Sequence, residues 1–264
     1  MRNTIISTKT HSGIDLKTGR PNTVPEKKPV VGKVVRNMCP HAGGGKDWQP
    51  SAYSPVTRYL YIPHQNLCQD EEVVPANYIA GTPYVGANVK MHAGPGGHRG
   101  LFTAWDIAGG RAVWQIKEDF PVWSGALATA GGVVFYGTME GWFKALDART
   151  GRLLWQFKAG SGIVGQPVSY SGPDGKQYIA VLAGVGGWAG AVVSGNLDTR
   201  DVSAGNGWGG VMADLPQHTR QGGTLYVFAL PSAQQTATAT NTETATATAN
   251  NPPQQSLPTS EGGE

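Results

Sequence analysis

The chain has 264 residues, of which 39% are hydrophobic and only 15% charged, and its formal net charge is +3. Its Lys and Arg are scattered rather than gathered into a stripe, which argues against nucleic acid as a partner. No run approaches the roughly 18 apolar residues of a membrane span, and 38 Gly with 18 Pro supply turn residues in plenty, so the expectation is one globular domain with many reversals.

In chain order, the start MRNTIISTKTH has neither the continuous apolar segment nor the small-residue cleavage site of a signal peptide, so any export signal is expected upstream. With SGIDLKTGRPNTVPEKKP behind it, the segment 1–31 reads as a loop-rich leader to a folded domain at 32–231. In NMCPHAGGGKDWQP (37–50) three glycines let the backbone approach a ligand and present Lys46 or Asp47 to it. On spacing alone, a Gly-rich inter-strand loop with a solvated Lys stands slightly ahead. Cys39 and Cys68 lack the CxxC spacing of a zinc or redox motif, and composition leaves two buried thiols and one disulfide equally open.

RYLYIP (58–63) reads as a strand of an early blade. Asp70-Glu71-Glu72 and Glu118-Asp119 have no EF-hand spacing and read as solvated acidic loops. The histidines at 11, 41, 64, 92, 98 and 218 form no HxH or HxxxH pair, so surface or loop positions are expected rather than metal ligation. No GxSxG or Ser/His/Asp arrangement supports hydrolysis.

The body then repeats itself. AWDIAGGRAVWQI and ALDARTGRLLWQF stand 41 residues apart, Ala104 against Ala145 and Trp114 against Trp155, which is the period of a propeller blade. Each copy is a strand ending at Asp, a Gly-containing turn and a second strand carrying Trp. GALATA, VVFYGT, WFKALDA and RLLWQF make one complete four-stranded blade, and QPVSY, QYIAVLAG and GTLYVFAL supply strands of a further one. Helical periodicity is absent from all of these segments. Trp123 in VWSG has the usual explanation of a core residue. Trp188 in GVGGWAG has only small neighbours and suits a pocket wall better than a core plug. Gly184-x-Gly186-x-x-Ala189 imitates a dinucleotide fingerprint, but no helix and no βαβ unit is expected after it. Residues 232–264, rich in Thr, Ala, Gln and Pro, read as a disordered tail.

The fold class is therefore all-β, a partial β-propeller of about three tryptophan-docking blades. A propeller leaves only short edges when its ring closes, so three blades read as part of something larger.

Taken together and in this order, GIDLKTGRP, NMCPHAGGGKDWQPSAYSP, NYIAGTPYVGANV, FPVWSGALATAGGVVFYGTMEGWFKALDARTGRLLWQF, SGIVGQP, GVGGWAG and GGTLYVFALP resemble the methanol/ethanol family of pyrroloquinoline-quinone (PQQ)-dependent dehydrogenases. The resemblance runs from Gly13 to Pro231. It implies a ring of eight blades, and it implies that Asp47, Trp123 and Trp188 line the quinone and substrate cavity and that Cys39 and Cys68 form a structural disulfide in a periplasmic protein. It further implies oxidation of a primary alcohol: a bound Ca²⁺ or lanthanide polarises the quinone, an aspartate takes the alcohol's proton, hydride passes to the quinone, and electrons leave through cytochrome c. The family's catalytic aspartate, metal ligands, vicinal disulfide and second quinone-covering tryptophan precede the matched segment and have no counterpart in residues 1–36. The expectation is a carboxyl-terminal fragment, inactive alone, with a missing amino-terminal propeller half. A non-catalytic propeller scaffold that binds protein partners is the alternative, and a separate chain that supplies the missing blades is a third, weaker reading.

Overall fold

Three times the chain places Asp, two intervening residues, Thr or Gly, then Gly-Arg, and each time it folds into the same hairpin. The Asp carboxylate accepts backbone N–H groups two and three residues on: Lys17 and Thr18 on Asp15 at 2.8 and 3.4 Å, Ala108 and Gly109 on Asp106 at 3.1 and 3.0 Å, Arg149 and Thr150 on Asp147 at 3.0 and 2.9 Å. Gly19, Gly110 and Gly151 then take φ of +69°, +59° and +73°, which a side chain would resist. A register shift between the two strands accompanies all three turns.

The computed structural model describes residues 8–81 and 86–231; the tail assigned to 232–264 lies outside the described residues. β1 (His11–Ile14) and β2 (Pro21–Thr23) pair alone, so the leader carries a hairpin of the blade type. β3 (Val34–Met38), β4 (Ala52–Ser54), β5 (Tyr59–Gln65), β6 (Leu67–Val73), β7 (Ala87–Ala93), β8 (Gly100–Asp106) and β9 (Arg111–Glu118) build two sheets. One is a blade of order β4-β5-β8-β9; the other, β3-β6-β7, leaves the blade between β5 and β8. β10 (Leu127–Ala128), β11 (Val133–Gly137), β12 (Trp142–Asp147) and β13 (Leu153–Lys158) form the second blade in sequence order. β14 (Val168–Ser171), β15 (Gln177–Ala183) and β16 (Thr224–Ala229) form a three-stranded sheet, and between β15 and β16 the chain makes an excursion carrying α1 (Gly187–Val193) and α2 (Trp208–Val211). All these strand pairings are antiparallel. The protein is all-β in its framework, and among the described residues no helix is long and apolar enough to cross a membrane.

Three apolar clusters hold these parts together. Tyr61, Phe102, Val122, Val134, Tyr136 and Leu146 fill the space between the two blades, with Phe102 and Tyr136 stacked at 4.0 Å. Phe143, Ile163, Val181 and their neighbours join the second blade to the third sheet. The third cluster unites the excursions: Leu67, Val89 and Met91 from β6 and β7 meet Trp123, Ala189, Val192, Trp208 and Met212. Arg99 clamps the helical excursion with a two-pronged contact to Asp214 at 2.6 and 2.7 Å and a bond to the Val211 carbonyl at 2.7 Å.

Several expectations need correction. His41 and His64 are buried, not surface residues. His64 Nε2 is 2.8 Å from the Thr103 hydroxyl, and burial pushes both rings down to about 4. Asp70, Glu71 and Glu72 lie on β6 rather than in a loop, and Asp70 accepts the Asn37 N–H at 2.8 Å. Glu118 is 6% exposed; Lys144 donates to its two oxygens at 2.6 and 2.9 Å and Tyr136 Oη to one of them at 2.5 Å. Burial, with the Glu118 charge adding to it, raises the Tyr136 phenol well above its ordinary value. A helix, α1, does follow Gly184-x-Gly186. The dinucleotide reading still fails, because β15 runs antiparallel to both neighbours and no βαβ unit exists among the described residues.

Candidate cofactor-binding site

The Gly-rich loop is shaped from beneath by His41. The His41 N–H donates to the Leu67 carbonyl at 3.0 Å, the Gly44 N–H to the His41 carbonyl at 2.8 Å, and the Gly43 N–H to His41 Nδ1 at 3.2 Å. Gly44 takes φ +71°, and a Cβ on Gly43 would stand 2.7 Å from the imidazole, so two of the three glycines are required by geometry. Lys46 turns back to donate to the carbonyls of Asp47, at 3.3 Å, and Gln49, while the Asp47 N–H donates to Gln49 Oε1 at 2.9 Å. Burial lowers the Lys46 ammonium from its ordinary value, with Asp47 opposing the shift. The Asp47 side chain is left exposed at the surface.

Trp123 is 3% exposed. Its ring meets Trp48 at 5.2 Å and Trp208 at 5.0 Å, both edge-on, and its Nε1–H donates to Gln65 Oε1 at 3.1 Å. The neighbouring Ser124 hydroxyl donates to the Gly165 carbonyl at 2.9 Å and accepts the Gly137 N–H at 3.0 Å, joining this segment to the SGIVGQP loop. Trp188 sits in the first turn of α1 and is 43% exposed. Behind it the chain passes through Gly205 at φ +57°, where a Cβ would come within 2.9 Å of the indole. Nothing stands within 4 Å of where a Cβ would project from Gly186 or Gly187, so the backbone before Trp188 is open to a ligand.

The structure thus links Asp47 to Trp123 through its neighbour Trp48, and α1, which carries Trp188, enters the same apolar cluster as Trp123 through Ala189 and Val192. For a flat aromatic quinone the open surfaces are Asp47, the 56%-exposed Trp48 and Trp188; Trp123 lies beneath Trp48. Among the described residues no group of three or more His, Cys, Asp or Glu is placed to hold a metal ion. Cys39 and Cys68 are disulfide-bonded across 29 residues. Sequence reading passed over Trp48, Gln65 and Trp208. The adjacency of Trp48 to Asp47 was a signal for the first, and the polar run His64-Gln65-Asn66 at the end of an apolar strand was one for the second.

Four-stranded blades with a 41-residue period and a docked tryptophan define the class as a β-propeller. The family described as glucose/ethanol/alcohol dehydrogenase, beta-propeller domain, matches residues 104–179. The chain is 52% identical to the lanthanide-dependent methanol dehydrogenase of Methylacidiphilum fumariolicum (strain SolV) over 82% of its own length and 36% of that protein. It is 40% identical to the quinoprotein ethanol dehydrogenase of Pseudomonas aeruginosa over 84% of its length and 34% of that protein. The solved structure of a europium-containing methanol dehydrogenase superposes with a TM-score of 0.82 at 50% identity, covering 86% of this chain and 40% of the other. The chain belongs to the PQQ-dependent alcohol dehydrogenase family. It spans 36% and 34% of the length of those two curated relatives.

Proposed function

We propose that this chain is the carboxyl-terminal part of a PQQ-dependent alcohol dehydrogenase that oxidises a primary alcohol such as methanol or ethanol to the aldehyde and passes the electrons to a cytochrome c. The observation that carries the reading is 52% identity to a lanthanide-dependent methanol dehydrogenase sustained over 82% of the chain. When bound, PQQ supplies the hydride acceptor, and Ca²⁺ or a lanthanide the Lewis acid.

The part played by this chain's residues is binding and orientation. The exposed Asp47 carboxylate offers an acceptor to ligand N–H or O–H groups, Trp188 offers an indole face beside open glycine backbone, and Trp123 backs the wall beneath Trp48. The base and the metal ligands belong to the amino-terminal propeller half, so residues 1–264 turn over no alcohol alone. Residues 32–231 are the propeller part. The Cys39–Cys68 bridge supports an oxidising compartment, the periplasm.

The test is titration of the chain with PQQ, followed by tryptophan fluorescence, then dye-linked assay of methanol and ethanol oxidation with added Ca²⁺ or La³⁺. The expected result is quenching without turnover. Turnover by the chain alone overturns the partial-enzyme reading, and an absence of quenching moves the protein toward a binding scaffold.

A further inference from the structure

Gln65 closes β5 and is 2% exposed, yet its backbone N–H and both ends of its side-chain amide are bonded. Its backbone N–H donates to the Gly45 carbonyl at 2.8 Å, its side-chain NH₂ to the carbonyls of Gly43 at 3.2 Å and Gly44 at 3.1 Å, and its side-chain oxygen accepts the Trp123 indole N–H at 3.1 Å. Three consecutive carbonyls of the loop that carries Asp47 therefore bond to the same residue that holds Trp123, which lies 58 residues away in sequence. No strand ladder joins these two segments. An amide is the side chain that can do this: its two N–H groups serve the two carbonyls and its oxygen serves the indole.

We infer that Gln65 is a positioning residue that sets the Asp47 loop and the Trp123 wall in one fixed relation, so that Asp47 and the exposed Trp48 face that Trp123 backs meet a flat quinone ligand as a unit. This rests on the cofactor-wall role proposed above for Asp47 and Trp123. The amide's hydrogen bonds hold the loop against opening outward, and they hold the indole plane against rotation beneath Trp48.

The experiment uses the full chain in two arms. The first needs no ligand: hydrogen exchange of the Trp123 indole N–H and of the Gly43 and Gly44 amides is followed by NMR in the wild type, in Gln65→Met and in Gln65→Glu. The expected result is that all three protons open together in the wild type, with protection matched within about threefold. In Gln65→Met they should separate by more than tenfold. In Gln65→Glu, which keeps an oxygen for the indole but cannot donate to the two carbonyls, only the indole should stay protected. Independent opening in the wild type overturns the inference.

The second arm measures the PQQ dissociation constant by fluorescence quenching for Asp47→Ala, Trp123→Phe and the pair. Their effects should be coupled by at least about threefold with Gln65 present and should multiply independently in Gln65→Met. Equal coupling in both backgrounds overturns the inference, because a residue that only stabilises the fold lowers the unfolding midpoint without changing that coupling. Should the wild-type chain show no quenching, the cofactor-wall reading fails, and the first arm still decides whether Gln65 ties loop to indole.

Discussion

Trp114 and Trp155 occupy the same place in two copies of one sequence pattern and have different surroundings. Trp114 lies 5.8 Å from Tyr61 and 6.0 Å from Phe102, and its Nε1–H donates to the Ala148 carbonyl of the next blade at 3.2 Å. Gly151 of that blade passes so close that a Cβ there would be 2.7 Å from the ring. Trp155 is 40% exposed and rests on Phe143 and Phe228 at 6.2 and 5.1 Å. A docked tryptophan needs the next blade's Asp-turn to receive it, and after β16 the chain reads Ala229-Leu230-Pro231 where the blades read Ala-Trp-Asp or Ala-Leu-Asp. Without the carboxylate the turn chemistry is gone. The stability of the pattern therefore lies between blades rather than within one.

The largest test of that statement is the buried Lys144–Glu118 pair, which crosses from β12 to β9. Lys144→Ala leaves an unpaired buried carboxylate and is expected to cost about 3–5 kcal/mol in denaturant unfolding; a loss under 1 kcal/mol would move the stability back inside the blades. Next, Trp114→Ala should cost about 3 kcal/mol and Trp155→Ala about 1 kcal/mol, since only the first empties a docked site. Equal losses would break the comparison.

Acid should act on one side of the molecule. His41 and His64 titrate at about 4 when folded against an ordinary 6.5. The unfolded chain thus binds more protons between those values, and the stability from both rings is present above pH 6.5 and lost as pH falls toward 4. The slope is at most about 1.4 kcal/mol per pH unit for each ring. Unfolding midpoints from pH 7 to 4, with His64→Asn as control, give the slope. Hydrogen exchange should show β5 and β8 loosening before β14–β16, which contain no histidine. Gly151→Ala is expected to cost at least about 1 kcal/mol from its positive φ, with the Trp114 indole shifted in its NMR resonance.

The blades were legible in the sequence because their information is local: the Asp-turn, the alternation and the 41-residue period all fit within one repeat. The leader hairpin has the same turn at Asp15 but escaped notice, since Thr23 stands where the other copies carry Trp. Buried Glu118, His64 and Gln65 were not legible, because each is made tolerable by a partner distant in sequence: Lys144, Thr103 and Trp123. Nor was α1, whose glycines lower helix propensity and whose seven residues are held by packing against the common cluster. For the site, the exposed Trp188 agrees with its small-residue surroundings, whereas Trp48 and Gln65 emerged only from contacts.

The Cys39–Cys68 bridge makes a covalent ring of the segment that carries Asp47, Trp48 and Gln65. A protease cut anywhere between 40 and 67 opens that ring without releasing either piece: one species under oxidising conditions, two after reduction. The glycine loop can therefore be nicked while both halves of its anchorage stay tethered to the same molecule.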